Sequence, residues 1–169
     1  PFCGGWVPGV GRNLPRRGFR PTSVVGRAGA AAVAAVILGL NEEHIRNALG
    51  AAATMMGGLQ KSSGTHGKPF HAGKAAMDGI LAAQLAAEGF VGAHHFYEAD
   101  GWVKIFIQDG SAEIPPLDFG VSWELPGNGY KLYASCRGTH ASIETACQIY
   151  PQLKGRTITR IDARVHPMG

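Results

Sequence analysis

Cysteine is scarce in this chain, and charge is thin. Cys3, Cys136 and Cys147 are an odd number without framework spacing, and no Asn-x-Ser/Thr acceptor occurs, so a disulfide scaffold is excluded and a reducing cytoplasm is the expected location. Charged residues make up only 17% of the chain, and its Lys and Arg are scattered apart from Arg12, Arg16, Arg17 and Arg20. A net charge of +4 spread in this way is not the dense basic face that counterion-release binding needs, so no nucleic-acid partner is expected. The apolar run from Ala28 to Leu40 has 13 residues, too few to cross a bilayer, and Arg27 precedes it. No membrane partner is expected. The first residues lack a basic start followed by an apolar run and a small-residue cleavage site, so no signal peptide is expected. Gly9-Val10-Gly11 has no preceding strand and no third glycine at dinucleotide-binding spacing. Gly67-Lys68 is followed by Pro69, not by the Ser or Thr of a phosphate loop. No Ser/His/Asp order fits a hydrolase.

What the sequence does have is an apolar content of 45%, enough for a real core, and one polar stretch set between two alanine-rich runs. Met55 to Ala76 reads MMGGLQKSSGTHGKPFHAGKAA. Its glycines permit tight turns, while Gln60, Lys61, Ser62, Ser63, Thr65, His66, Lys68 and His71 gather donors and cations in a short span. Pro69 disfavours helix at Lys68, so the expectation is an extended segment holding that ammonium just before a helix starts. A fixed cation near a helix N-terminus is a good place for a carboxylate.

Residues 1–20 are rich in glycine and proline and read as a loop. Thr22 or Ser23 is placed to cap a helix over Val24 to Leu40, which is apolar nearly all round apart from Arg27 and is therefore expected to be buried. Asn41 is placed to cap a second helix that runs to about Met56, with Glu42 and Glu43 in its first turn. A third helix is expected from Ala75 to Glu88, with Gly89 as its stop. Residues 94–110 read as a turn and a short helix packing through Trp102, Ile105 and Phe106, and adjacent His94 and His95 point apart rather than to one metal. Ser111 to Gly129 is richer in Pro and Gly and reads as a linker. Beyond it, Tyr130 to Ser135 is expected to be extended, Thr139 to cap a helix from His140 to about Leu153, and Thr157 to Val165 to form a strand without a partner in view. The fold class is mainly α. A partial all-α helical domain, residues 1–115, precedes the beginning of a smaller α+β lid, residues 116–169.

The segments GFRPTSVVG (Gly18 to Gly26), LGLNEEHIRNALGAA (Leu38 to Ala52), THGKPFHAGKAAMDG (Thr65 to Gly79), AAEGFVG (Ala86 to Gly92) and KLYASCRGTHASIETA (Lys131 to Ala146), in this order, resemble the MmgE/PrpD family. That family includes 2-methylcitrate dehydratases, cis-aconitate decarboxylases and iminodisuccinate epimerases. The resemblance covers roughly residues 18–169 and implies a partial chain, a homodimer, and no obligatory metal or organic cofactor. It implies further that Lys68 is the cleft lysine of the family's THxKPxHxG motif. Lys131, Cys136, Arg137 and His140 match the lid stretch that closes over substrate, where Lys131 or Arg137 would hold a carboxylate. Arg20 falls where several members carry a histidine, so that imidazole's role does not transfer. The family's catalytic Asp and His from an earlier helical segment have no counterpart among these residues.

The chemistry shared by the family suits these residues. Dehydration, decarboxylation and epimerisation of a small polycarboxylic acid all build negative charge beside a carboxylate, which fixed cations in a dry pocket stabilise. Lys68 carries that role or is a surface lysine ending a loop. His66 and His71 do general acid–base work, cap the loop, or are satisfied core imidazoles. Zinc on Cys136, His140 and Cys147 is disfavoured, because Gly138 and Thr139 start the helix after Cys136. The leading expectation is a lyase of the 2-methylcitrate dehydratase kind, with epimerase or decarboxylase chemistry behind it. A non-catalytic helical interaction module is the rival of a different class.

Overall fold

Pro21 opens the first long helix. Its fixed φ suits a first helical position, where the N–H would lack an intrahelical partner in any case. The computed structural model, which describes residues 14–96, 101–106, 121, 126 and 129–165, accordingly begins α1 there, over Pro21–Ile37. α2 spans Glu42–Thr54 behind Asn41, whose Oδ1 accepts the His44 N–H at 2.9 Å. Glu42 and Glu43 lie in its first turn, where negative charge complements the positive helix end. α3 spans Gly67–Ala87, α4 Trp102–Phe106 and α5 His140–Leu153, with single 3-10 turns over Gln60–Ser62 and Arg137–Thr139. The chain is mainly helical. Among the described residues the one β feature is an isolated antiparallel bridge between Phe19 and Leu59.

The chain divides into two compact units, residues 1–124 and 125–169. In the first, α1, α2 and α3 pack on one another through small side chains: Ala31, Ala51, Ala52 and Ala82 form one buried cluster, and Ala35, Ala48, Ala83 and Ala86 another. Such a seam lets backbones come close. A Cβ placed on Gly79 of α3 would lie 2.3 Å from the Ala30 Cβ and 2.6 Å from the Ala31 backbone nitrogen of α1. Larger apolar residues gather in a separate cluster, where Leu14, Val24 and Val25 meet Trp102 and Phe106, and the Phe19 ring stands edge-on to Phe106 at 5.1 Å.

Several sequence expectations need correction. α1 begins three residues before Val24, its N-cap is Arg20 with no side-chain cap bond, and Ser23 lies wholly buried inside the helix. Nor is α1 buried all round, since Val33, Val36 and Ile37 are 57%, 69% and 78% exposed. The reason is that only one face, built mostly of alanine and glycine with Arg27, meets α2 and α3, and apolar composition by itself supplies no partner for the opposite face. α3 begins at Gly67 rather than Ala75. Pro69 falls in the first turn, where its missing N–H breaks no intrahelical bond, so the helix runs back through Lys68.

The second unit is organised on α5, whose bounds match the expected ones. Thr139 stands at its N-cap position but does not cap it: the hydroxyl donates instead to the Cys136 carbonyl at 2.7 Å. Tyr130 to Ser135 is bent rather than extended, and the Ser135 N–H donates to the Tyr133 carbonyl at 2.8 Å. Residues 157–165 have no partner strand among the described residues. Most of the expected linker, residues 111–120, 122–125 and 127–128, lies outside the described residues.

Candidate functional site

The polar loop between α2 and α3 is tied down from both sides. The N–H of Gln60 donates to the Gly18 carbonyl at 2.8 Å and that of Arg20 to the Gly58 carbonyl at 3.0 Å, while Arg20 Nη1 reaches Ser63 Oγ at 3.2 Å. Gly58 has φ +129°, and a Cβ there would meet Ser23 Oγ at 2.2 Å, so glycine is required both by conformation and by space. Thr65 Oγ1 donates to the Ser62 carbonyl at 2.8 Å and accepts the Gly67 N–H at 3.1 Å. The loop thereby delivers the chain into α3 in a fixed direction.

Lys68 is the second residue of α3, exposed, with its N–H donating to the Thr65 carbonyl at 3.2 Å. The extended segment expected for it is replaced by a first helical turn, which puts the ammonium at the positive end of a 21-residue helix. The Gly67 and Lys68 N–H groups are already spent on Thr65 and Pro69 has none, so what this helix end offers an anion is the lysine charge and the helix dipole. His66 is exposed at the N-cap position and its side chain makes no cap bond, so the capping role is not found. His71, one turn into α3, is partly buried, and its Nδ1 is buried without a hydrogen-bond partner. It is not a satisfied core imidazole.

Beneath the loop lies a polar cluster that sequence reasoning missed. Arg27 and Asp78 are 6% and 2% exposed, and Arg27 Nε donates to Asp78 Oδ2 at 2.6 Å. Arg27 Nη1 also donates to the Gly57 carbonyl at 2.9 Å, to Ser23 Oγ at 3.1 Å and to the Ser23 carbonyl, and Ser23 Oγ donates to that same Gly57 carbonyl. Lys74 Nζ bonds Asp78 Oδ1 from one helical turn away. Burial alone would push the Asp78 carboxyl up, but the hydrogen bonds and charges of Lys74 and Arg27 outweigh it and hold the group below its ordinary value. The available signal was the isolation of the charges. Arg27 interrupts the apolar run of α1 and Asp78 is the sole acid of α3, and lone charges on apolar helices must find each other.

In the second unit, Lys131, Cys136 and Arg137 are exposed. The Arg137 guanidinium lies against Gly129, where an added Cβ would come within 2.4 Å of Nη2. His140 opens α5 with its ring edge-on to Tyr133 at 5.2 Å, and its Nε2 is buried without a partner. Tyr133 Oη donates to Glu144 Oε2 at 2.9 Å, and this bond raises the phenol's pKa above its ordinary value. Lys131, Arg137 and His140 thus share one unit, while Lys68, His66 and His71 share the other.

The loop, the lysine at the head of α3 and the alanine seam behind it correspond to a known domain: a match to the MmgE/PrpD N-terminal domain covers residues 9–115. The chain belongs to the MmgE/PrpD family. Among its relatives, human cis-aconitate decarboxylase is 32% identical over 83% of this chain and 30% of the relative. The mouse cis-aconitate decarboxylase is 32% identical over 84% of this chain and 29% of its own length. The cis-aconitate decarboxylase of Aspergillus terreus is 28% identical over 86% and 32%. The chain therefore spans about 30% of the length of these curated relatives. No helix among the described residues is long and apolar enough to cross a membrane.

Proposed function

We propose that this MmgE/PrpD chain belongs to a lyase that removes carbon dioxide from a small unsaturated tricarboxylic acid of the cis-aconitate type. The observation that carries the reading is Lys68, seated in the first turn of α3 by a loop clamped to α1. In such a reaction the bond to the departing carboxylate breaks, its electron pair stays on the substrate carbon, and that carbon takes up a proton as carbon dioxide leaves. Negative charge grows next to a remaining carboxylate, and a preorganised cation opposes it. His71 or His66 is the proton donor in this reading, and Lys131, Arg137, Cys136 and His140 bind substrate. The Arg137 guanidinium grips a carboxylate through two parallel hydrogen bonds.

The relatives' names support decarboxylation ahead of 2-methylcitrate dehydration, which the sequence motifs alone ranked first. Epimerisation of an imino-dicarboxylate stands third, because it uses the same charge development. The same reading carries a cytoplasmic homodimer that needs no metal or organic cofactor. The full-length protein is to be assayed with cis-aconitate for carbon dioxide release, with 2-methylcitrate for water loss, and with an imino-dicarboxylate for inversion. Carbon dioxide release that is lost in Lys68→Met with folding intact supports the proposal. Turnover of none of the three substrates leaves a helical interaction module as the better reading.

A further inference from the structure

The buried cluster beneath the loop holds one charge too many. Asp78 carries a single negative charge, and Arg27 already engages it at 2.6 Å from a side chain that is itself 8% exposed. Lys74 bonds the other carboxylate oxygen, so two cations face one anion. Unlike Arg27, Lys74 is open on one side, with 35% of its side chain exposed. Its ammonium has three donors, and Asp78 is its one partner among the described residues. An excess charge at the edge of a buried network is costly unless an anion or water completes it.

His71 stands three residues before Lys74 on α3, a spacing that makes the two side chains neighbours on one helical face. Its ring lies beneath Gly58, with Cε1 3.5 Å from where a Cβ on that glycine would be. Its Nδ1 is buried and unpartnered. An unfilled imidazole nitrogen and an under-used ammonium therefore share one shoulder of α3, His71 about one turn and Lys74 nearly two turns beyond Lys68. Resting on the carboxylate-binding reading above, we infer that Lys74 and His71 form a second carboxylate pocket, which selects substrates with a further carboxyl group beyond the one held at Lys68. Asp78 and Arg27 are positioning residues in it: Asp78 fixes the ammonium, and Arg27 fixes Asp78 and, through the Gly57 carbonyl, the loop above His71.

The test uses the full-length protein and two unreactive probes that differ by one carboxylate, tricarballylate and glutarate, titrated calorimetrically into wild type, Lys74→Met and Lys74→Arg. Lys74→Met leaves the Arg27–Asp78 pair in place, and circular dichroism verifies its fold. Wild type is expected to prefer tricarballylate, Lys74→Met to lose about tenfold in tricarballylate affinity while glutarate affinity stays within about threefold, and Lys74→Arg to retain the preference. Unchanged tricarballylate binding in Lys74→Met overturns the pocket and leaves the broader reading standing, as does an equal loss for both probes. A wild-type protein that binds neither probe overturns both.

Discussion

Asp78 is the residue on which most of the first unit's electrostatics converge, since it meets Arg27 of α1 and Lys74 of its own helix at 2% exposure. Replacing it with Ala strands a buried guanidinium, and the expected cost is about 3–5 kcal/mol, read as a lower urea midpoint at unchanged slope. Its pH dependence has a defined sign. The folded-state pKa lies below the ordinary one, so the carboxylate's contribution is fully present above the unfolded value and is lost as pH falls through the folded value. Acid titration of stability below about pH 4 should therefore be shallower in Asp78→Asn than in wild type. An equal slope in the two proteins would show that the carboxylate is not held down. At Lys68 the effect is on turnover: Lys68→Met is expected to cost about 2–4 kcal/mol in transition-state stabilisation, measured as kcat/KM of the full-length protein. Arg137→Lys, which keeps the charge but loses the fork, should fall in the same range of about 2–4 kcal/mol by the same measurement.

Between elements, the α1–α3 seam is set by how little side chain lies in it. Alanine favours helix over glycine by about 1 kcal/mol, so Gly79→Ala would stabilise an exposed helix. Here the added methyl meets the backbone of α1 at 2.6 Å, and the helices must part. The expected outcome is a net loss of about 1–3 kcal/mol in chemical denaturation; a gain would mean that the seam relaxes without strain. The same scale explains where sequence reading of the elements succeeded. Asn41 and the two glutamates after it place the start of α2 through local chemistry, and α5 likewise has the bounds that its composition implied. At the start of α3 the local rules conflict. Pro69 speaks against helix at Lys68, yet Thr65 accepts the Gly67 N–H and the loop clamp holds the entry, so tertiary contacts carry the helix eight residues further back than expected.

Taken whole, the first unit shows much apolar surface on its outer faces: Val36 and Ile37 of α1 and Met77 and Ile80 of α3 are 69%, 78%, 53% and 49% exposed. Exposed apolar residues in that number favour association. The isolated 169-residue chain should therefore self-associate, with sedimentation mass and thermal midpoint rising with concentration. A monomer with a sharp, concentration-independent transition would contradict this. By itself the sequence determined the class of the protein, because helical period, caps and the Thr65 to Gly79 motif are local patterns that survive without knowledge of distant contacts. It also singled out Lys68 as a candidate, but its place in the first turn of α3 rather than in an extended segment came from the structure. What only the tertiary structure decided was the pairing of Arg27 with Asp78, 51 positions apart, the anchoring of Gly57 by α1, and the unpartnered state of His71 Nδ1. Those depend on which faces of two nearly uncharged helices meet. A helix period assigns a residue to a face, but the partner of that face is fixed by packing across the whole unit.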